Sequence, residues 1–144
     1  MTDTPPYLQP FVLGVPRVDR ERRGSLDVYR PAKTKDAAEY PVVILVHGGP
    51  VPADLRPTPR DWPGFVGYAC ALTHHGLIGV TVDHRLYDTA AYPIAAADVR
   101  AAVEDTRALE GVAASGWRCG FFLVVGCWPP SGWPTPHRGY AVLP

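Results

Sequence analysis

The chain has 144 residues, and its 14 lysine and arginine residues balance 14 aspartate and glutamate residues, so the net charge is zero. This length suits one domain, and the balanced charge argues against nucleic acid or an anionic membrane as the main partner. No apolar run approaches the ~20 residues that span a bilayer, and the first residues lack the basic and apolar regions of a signal peptide.

The cysteines and histidines give no pattern typical of a disulfide or metal site. Cys70, Cys119 and Cys127 are odd in number and form no Cys-x-x-Cys pair. His74 and His75 are adjacent, so on a helix their side chains would point about 100° apart. We therefore expect a reduced, cytoplasmic protein with no metal and no other cofactor.

The first elements in chain order are weakly patterned. The run from Phe11 to Val15 is short and only weakly typical of a strand. The basic cluster from Arg17 to Arg23 is expected to be a solvated turn. Alternation of apolar and polar residues from Leu26 to Tyr29 predicts an outer strand of a sheet.

Two later runs predict strands buried on both faces. The first runs from Pro41 to Val46, is continuously apolar and β-branched, and ends in His47-Gly48-Gly49-Pro50. The second runs from Leu77 to Val82 and ends in Asp83-His84-Arg85. Burial is expected for both faces of such strands, including Val43, Leu45, Val80 and Val82.

Two amphipathic segments predict helices between and after these strands. The first runs from Pro63 to His75, with Asp61 as its N-cap and Gly76 as the left-handed residue that ends it. The second runs from Pro93 to Leu109 and is rich in alanine. Alternating strands and helices predict an α/β fold with a mostly parallel sheet and flanking helices.

Four segments together resemble the α/β-hydrolase family, in particular its feruloyl-esterase-like and dienelactone-hydrolase-like esterases. They are Leu26-Asp27-Val28-Tyr29-Arg30-Pro31, the strand ending in His47-Gly48-Gly49-Pro50, the strand ending in Val82-Asp83-His84-Arg85-Leu86, and Tyr92-Pro93 before a helix that contains Asp98-Val99. The resemblance extends from about Leu26 to Glu110. It implies a partial α/β-hydrolase fold with an incomplete C-terminal half, and a small-molecule ester as the substrate of the intact family.

The resemblance also implies roles for the loop after the first buried strand. In such enzymes this loop supplies a backbone N–H to the oxyanion hole, which points to Gly48 and Gly49, with Gly49 the first choice. Pro50 departs from the commoner His-Gly-Gly-Gly form and has no N–H to donate, so Val51 is the substitute donor. His47 is expected to be a structural histidine at the end of its strand.

Charged residues after the second buried strand are expected to be structural. Asp83 closes that strand, Arg85 follows it, and Asp98 lies in the opening turns of the next helix. The connecting loop should bring Arg85 and Asp98 within salt-bridge distance. No metal ligand is expected among them.

No residue is placed to be the nucleophile of such an enzyme. The family needs a nucleophile on a sharp turn between strand and helix, then an acid, then a histidine. None of the three serines, Ser25, Ser115 and Ser131, follows a predicted strand closely, and Cys127 is followed by Trp128-Pro129. His137 has no acidic residue before it in the tail, because aspartate and glutamate are absent after Glu110.

The composition changes abruptly near Gly116, after which the chain has three of its four tryptophans. A second reading frame of the gene joins the last base of each codon to the first two bases of the next codon. In this frame Trp117-Arg118 gives alanine, and the codons through Trp128 permit Arg-Leu-Ala-Leu-Trp-(Val or Leu)-Phe-Ser-Gly-Gly-Gly-Leu-Leu-Ala. That string is typical of a buried strand, a serine turn and the start of a helix.

We therefore predict a frame disruption between Val112 and Gly116, with residues 1–115 hydrolase-like and residues 116–144 an irregular tail foreign to the fold. The apolar run from Phe121 to Val125 could still add a strand, whereas the prolines after it exclude the family's helix.

Three functions remain open from the sequence. The first is a member of the serine-esterase-like family that is truncated before its nucleophile and inactive. The second is a non-catalytic binding or interaction protein built on half a hydrolase sheet. A small hydrolase that uses Cys119 or Cys127 ranks last.

Overall fold

The computed structural model describes residues 4–32 and 39–113, together with the backbone of residues 122–124. Its strands are β1 (Arg20–Arg23), β2 (Leu26–Tyr29), β3 (Val42–His47), β4 (Ile78–Val82) and β5 (Phe122–Val124). Its α-helices are α1 (Pro63–His74), between β3 and β4, and α2 (Tyr92–Arg107), between β4 and β5. Short 3-10 helices occupy Pro6–Leu8, Pro59–Asp61 and Thr89–Ala91.

The five strands form one mixed sheet in the order β1-β2-β4-β3-β5. β3 pairs in parallel with β4 and β5, whereas β2 pairs antiparallel with β1 and β4. The fold is therefore α/β as predicted, but the sheet is mixed and not mostly parallel. For β1 and β2 the reason is local, because only two residues, Gly24 and Ser25, join them, and so short a connection requires antiparallel strands. β2 is also antiparallel to β4, so two of the four strand pairs are antiparallel.

The two helices cover opposite faces of the sheet. Residues of β3 alternate between them, because successive strand side chains point to opposite faces. Ile44 belongs to the hydrophobic cluster that contains Ala102 of α2, and Leu45 to the cluster that contains Ala69 of α1. The predicted burial is confirmed for the whole set of Val43, Leu45, Val80 and Val82.

Both ends of α1 have identifiable causes, and one differs from the sequence prediction. At the C-terminus Gly76 has φ +73°, and its N–H donates to Thr73 O while the Leu77 N–H donates to Leu72 O, which is a Schellman motif. At the N-terminus Trp62 is the N-cap and contributes no side-chain cap. The prediction of Asp61 as N-cap is wrong, because its carboxylate binds arginines of β1.

The basic cluster and the first strand also differ from expectation. Arg20 to Arg23 form edge strand β1 and not a solvated turn, so β2 lies inside the sheet. Asp27 of β2 is fully buried, although the alternating pattern of this segment predicted an outer strand. The expectation fails because arginines on the neighbouring strand cover and neutralise this carboxylate.

Residues before β1 form an arm along α1 without regular strand structure from Phe11 to Val15. Tyr7 contacts Trp62, and Phe11 contacts Tyr68 edge to face, with both pairs of ring centroids 4.8 Å apart. Gly67 makes room for this arm, because a Cβ there would overlap the Phe11 ring.

Close packing of α1 on β4 depends on Gly79. A Cβ at this position would lie 2.8 Å from the carbonyl oxygen and 2.9 Å from the Cα of Ala69. We expect Gly79→Ala to lower the free energy of unfolding by about 1–3 kcal/mol, because backbone atoms of α1 must move. Chemical denaturation measures this loss.

Gly64→Ala is the matched control, since a Cβ at Gly64 would have no neighbouring atom within 4 Å and alanine favours a helix. It should cause no loss. Equal stability of the Gly79→Ala and Gly64→Ala variants would contradict the close contact between α1 and β4.

Candidate active site

The carboxyl ends of β3 and β4 lie side by side at one end of the sheet, where α/β proteins commonly bind ligands. β3 delivers His47 and the Gly48–Gly49 loop to this end, and β4 delivers Asp83 and His84. A cleft of about 180 Å³ opens beside them. Its lining residues are His47, Val51, Pro52, Ala53, Leu55, Arg56, Thr58, Pro59, Asp83, His84 and Tyr87.

Two buried histidines form one wall of the cleft. The rings of His47 and His84 stack with centroids 3.7 Å apart and planes 9° apart, and they are 3% and 9% exposed. His84 Nε2 lies 2.9 Å from the carbonyl oxygen of His47, so this nitrogen donates. Neither ring nitrogen of His47 has a well-formed hydrogen bond within the described residues.

Burial lowers the pKa of His47 from 6.5 to about 4. Loss of solvation is the largest cause, and the neighbouring His84 ring acts in the same direction. The nearby backbones of Gly48 and His84 oppose this shift only in part. His47 is therefore uncharged near pH 7.

The Gly48–Gly49 loop leaves one predicted oxyanion donor open and occupies another. Gly49 has φ +73°, a backbone conformation that favours glycine, and its N–H makes no hydrogen bond within the described residues. The N–H of Val51 instead donates to the carbonyl of Leu86 at 2.8 Å. Val51 is thus not a free donor in this conformation, because a contact between loops that are distant in sequence occupies it.

Arg85 and Asp98 form the ion pair that the sequence predicted. Arg85 Nη2 lies 2.7 Å from Asp98 Oδ1, and Arg85 Nε and the backbone N–H both donate to Oδ2 at 2.9 Å. These hydrogen bonds hold the pKa of Asp98 below its usual value. The Arg85 side chain is 59% exposed, so the pair orients the loop between β4 and α2 at the surface and is not a buried charge pair.

A second charged group next to the cleft was missed from the sequence. Arg60 Nε lies 2.9 Å from Asp83 Oδ2, and its backbone N–H donates to Asp83 Oδ1. Arg60 also reaches the buried Asp27, which Arg20 and Arg22 contact from β1. These residues, together with Asp61, are called the Arg–Asp network below; the network consists of Arg20, Arg22, Arg60, Asp27, Asp61 and Asp83.

The network neutralises its own charges. Burial opposes ionisation of Asp61, but hydrogen bonds from Arg20 and Arg22 outweigh it and hold the pKa of Asp61 below its usual value. The hydrogen bond with Asp27 raises the pKa of Arg22. Three arginines therefore face three aspartates, which makes the network a support for the cleft and not an anion-binding site.

Other predicted features lie partly outside the described residues. Within residues 4–32 and 39–113, no three metal-binding side chains cluster, and no helix has the length and apolar character needed to cross a membrane. Strand β5 forms within the apolar run that the sequence singled out. Several predictions fall on residues outside the described part of the chain. These are the predictions for Ser115, Ser131, Cys119, Cys127 and His137, and the prediction that no helix follows Val125.

Comparison with known proteins supports this architecture. The BD-FAE family model matches residues 26–108, which is more than half of the chain and includes β2, β3, β4 and both helices. Neither the curated proteins nor the solved structures gave a match. The match spans both loops that form the cleft, His47–Gly49 and Asp83–Arg85. The chain therefore belongs to the BD-FAE family, an esterase-like family related to the α/β hydrolases.

Proposed function

We propose that residues 26–113 are the part of a carboxylic-ester hydrolase that carries the oxyanion loop, and that the 144-residue chain does not itself hydrolyse esters. The observation that carries the first half is Gly49: in an esterase-like family, it follows the central strand β3 with φ +73° and an N–H that makes no hydrogen bond within the described residues. Such an N–H can stabilise the oxyanion of an ester-cleavage intermediate. The substrate would be a small-molecule ester.

The second part of the proposal, that the chain does not hydrolyse esters, is supported by the lack of a suitably placed nucleophile in the sequence. The chemistry requires a nucleophile with a base within about 3 Å and an acid or amide that orients the base. β5 pairs with β3 on the side opposite β4, where a strand before a nucleophile would continue the sheet. Cys127-Trp128-Pro129 follows it, and no serine stands between Ser115 and Ser131.

A frame disruption before Gly116 accounts for this combination. The strand position is retained in both frames, because the first two bases of the Phe121 and Phe122 codons are TT and give Ile, Leu, Val or Phe after any preceding base. The serine turn that would follow is lost in the frame of this chain. The domain boundary proposed at residue 115 follows from the same argument. The C-terminal half of the hydrolase domain, with its serine, acid and histidine, would then be encoded in the other frame.

The purified chain should not hydrolyse nitrophenyl acetate faster than a control chain with Ser25, Ser115, Ser131, Cys119 and Cys127 all replaced by alanine. An oxyanion donor without nucleophile and base retains only a small part of a hydrolase's rate enhancement. Release of nitrophenol is the measurement.

Turnover above that control, lost on Ser115→Ala, Ser131→Ala or Cys127→Ala, would contradict this proposal. Loss with Cys127→Ala alone would instead support a cysteine-dependent hydrolase.

A further inference from the structure

His84 follows β4 and places its ring against the residue from which the Gly48–Gly49 loop starts. The ring is stacked on His47 at 3.7 Å, and its Nε2 lies 2.9 Å from the His47 carbonyl oxygen. Both side chains are more than nine-tenths buried. The hydrogen bond therefore joins a rigid strand end to the first peptide of the loop without competition from bulk water.

The direction of this hydrogen bond determines the direction of the next N–H. The His47–Gly48 peptide bond is trans. In a trans peptide the carbonyl and the N–H point in opposite directions. Since His84 holds the carbonyl from the β4 side, the Gly48 N–H is directed away from His84, toward the side of β3 on which β5 lies.

We propose that His84 is the positioning residue of the Gly48–Gly49 loop, acting through the carbonyl of His47. This inference rests on the proposed role of that loop as an oxyanion loop. It assigns no chemical step to His84. The ring holds the first peptide of the loop, and so sets the path of the backbone that leads to Gly49.

The geometry requires one tautomer of His84. A carbonyl oxygen only accepts, so Nε2 must carry the hydrogen, and in a neutral ring Nδ1 then carries the lone pair. The carboxylates that approach this region are already paired, Asp83 with Arg60 and Asp98 with Arg85. Among the described residues Nδ1 of His84 has no hydrogen-bond partner, so no acceptor there draws the ring hydrogen to it.

The ring-nitrogen ¹⁵N spectrum of the unmodified full chain tests this directly. We expect the neutral His84 ring, assigned by the loss of its signals in His84→Gln, to carry its hydrogen on Nε2, with a correlation to a carbonyl acceptor. A His84 ring with the hydrogen on Nδ1, or one that averages both tautomers, would overturn the proposal, because Nε2 would not then be a fixed donor. This result needs no esterase activity, so it is separable from the proposed function.

Two variants of His84 separate the hydrogen bond from the packing. His84→Phe keeps a flat ring without a donor, whereas His84→Gln keeps a donor without the ring. In a chain labelled with ¹³C in histidine carbonyls and ¹⁵N in glycine, only His47-Gly48 and His75-Gly76 give a carbonyl-to-amide peak. The exposed His75→Gln control removes the second peak and so assigns the first.

The carbonyl resonance of His47 should move upfield in His84→Phe, as for a carbonyl that loses its hydrogen bond. It should return toward its original position in His84→Gln, which a role in packing alone would not produce. An unchanged His47 carbonyl in folded His84→Phe would overturn the proposal. Should His84→Phe fail to fold, the tautomer of the unmodified chain decides the question.

Discussion

Asp27→Asn should lower the free energy of unfolding by about 2–3 kcal/mol. Asp27 is fully buried, and Arg22 binds it with two hydrogen bonds of 2.9 Å. Removal of one member of a buried ion pair typically costs about 3–5 kcal/mol because it leaves the partner's charge uncompensated. A smaller loss than this range is expected here, because Arg22 is 46% exposed and still has Asp61 as an ion-pair partner. Urea denaturation gives the loss as a shift of the midpoint.

Asp105→Asn is the matched control, since Asp105 is an exposed residue of α2. It should change stability by less than about 0.5 kcal/mol, as is usual at the surface. If Asp27→Asn changed stability no more than this control, the Arg–Asp network would not hold β1 and the cleft together.

Acidification should destabilise the fold well before its carboxylates titrate, and His47 is the cause. Its pKa is lowered to about 4 in the folded chain, whereas the unfolded value is 6.5. Below pH 6.5 the unfolded chain therefore binds a proton that the folded chain does not. The free energy of unfolding consequently decreases as the pH is lowered, down to about pH 4. At about 1.4 kcal/mol per pH unit in this window, the loss between pH 7 and pH 5 is about 2 kcal/mol.

His47→Gln has no titrating ring and should show a smaller loss between pH 7 and pH 5. Asp61 and Asp98, whose pKa values are lowered from 3.8, lose their contribution at lower pH and leave most of this window unaffected. Denaturation curves at several pH values measure the slope for both chains. Parallel slopes for the two chains would show that His47 is not the group responsible.

Features set by residues close in the chain were predictable from the sequence. The continuously apolar runs of β3 and β4, the two helices and the left-handed Gly76 each follow from local pattern, and the structure has all of them. The Arg85–Asp98 pair was predictable because one short loop joins its two elements. The family resemblance of four segments is confirmed by the BD-FAE match.

Features that depend on contacts between distant segments were not predictable. Asp27 has the pattern of a surface residue, and only pairing with β1 reveals that its solvent-facing position is covered by Arg20 and Arg22. Val51 was a reasonable donor from the sequence, but the carbonyl of Leu86 accepts its N–H in the folded chain. Local alternation indicates which side chains share a face, but not what lies on that face.

The nucleotide sequence across codons 110 to 130 tests the proposed loss of the catalytic half most directly. A serine at the junction of codons 122 and 123 in the other frame requires codon 122 to be TTT and codon 123 to begin with CT, because TTC at codon 122 would give proline there. We predict TTT at codon 122, an open frame that continues past it, and an acidic residue followed by a histidine further along that frame. TTC at codon 122 would contradict the serine turn placed there, and an early stop in that frame would contradict the frame disruption and would make the tail a genuine part of this protein.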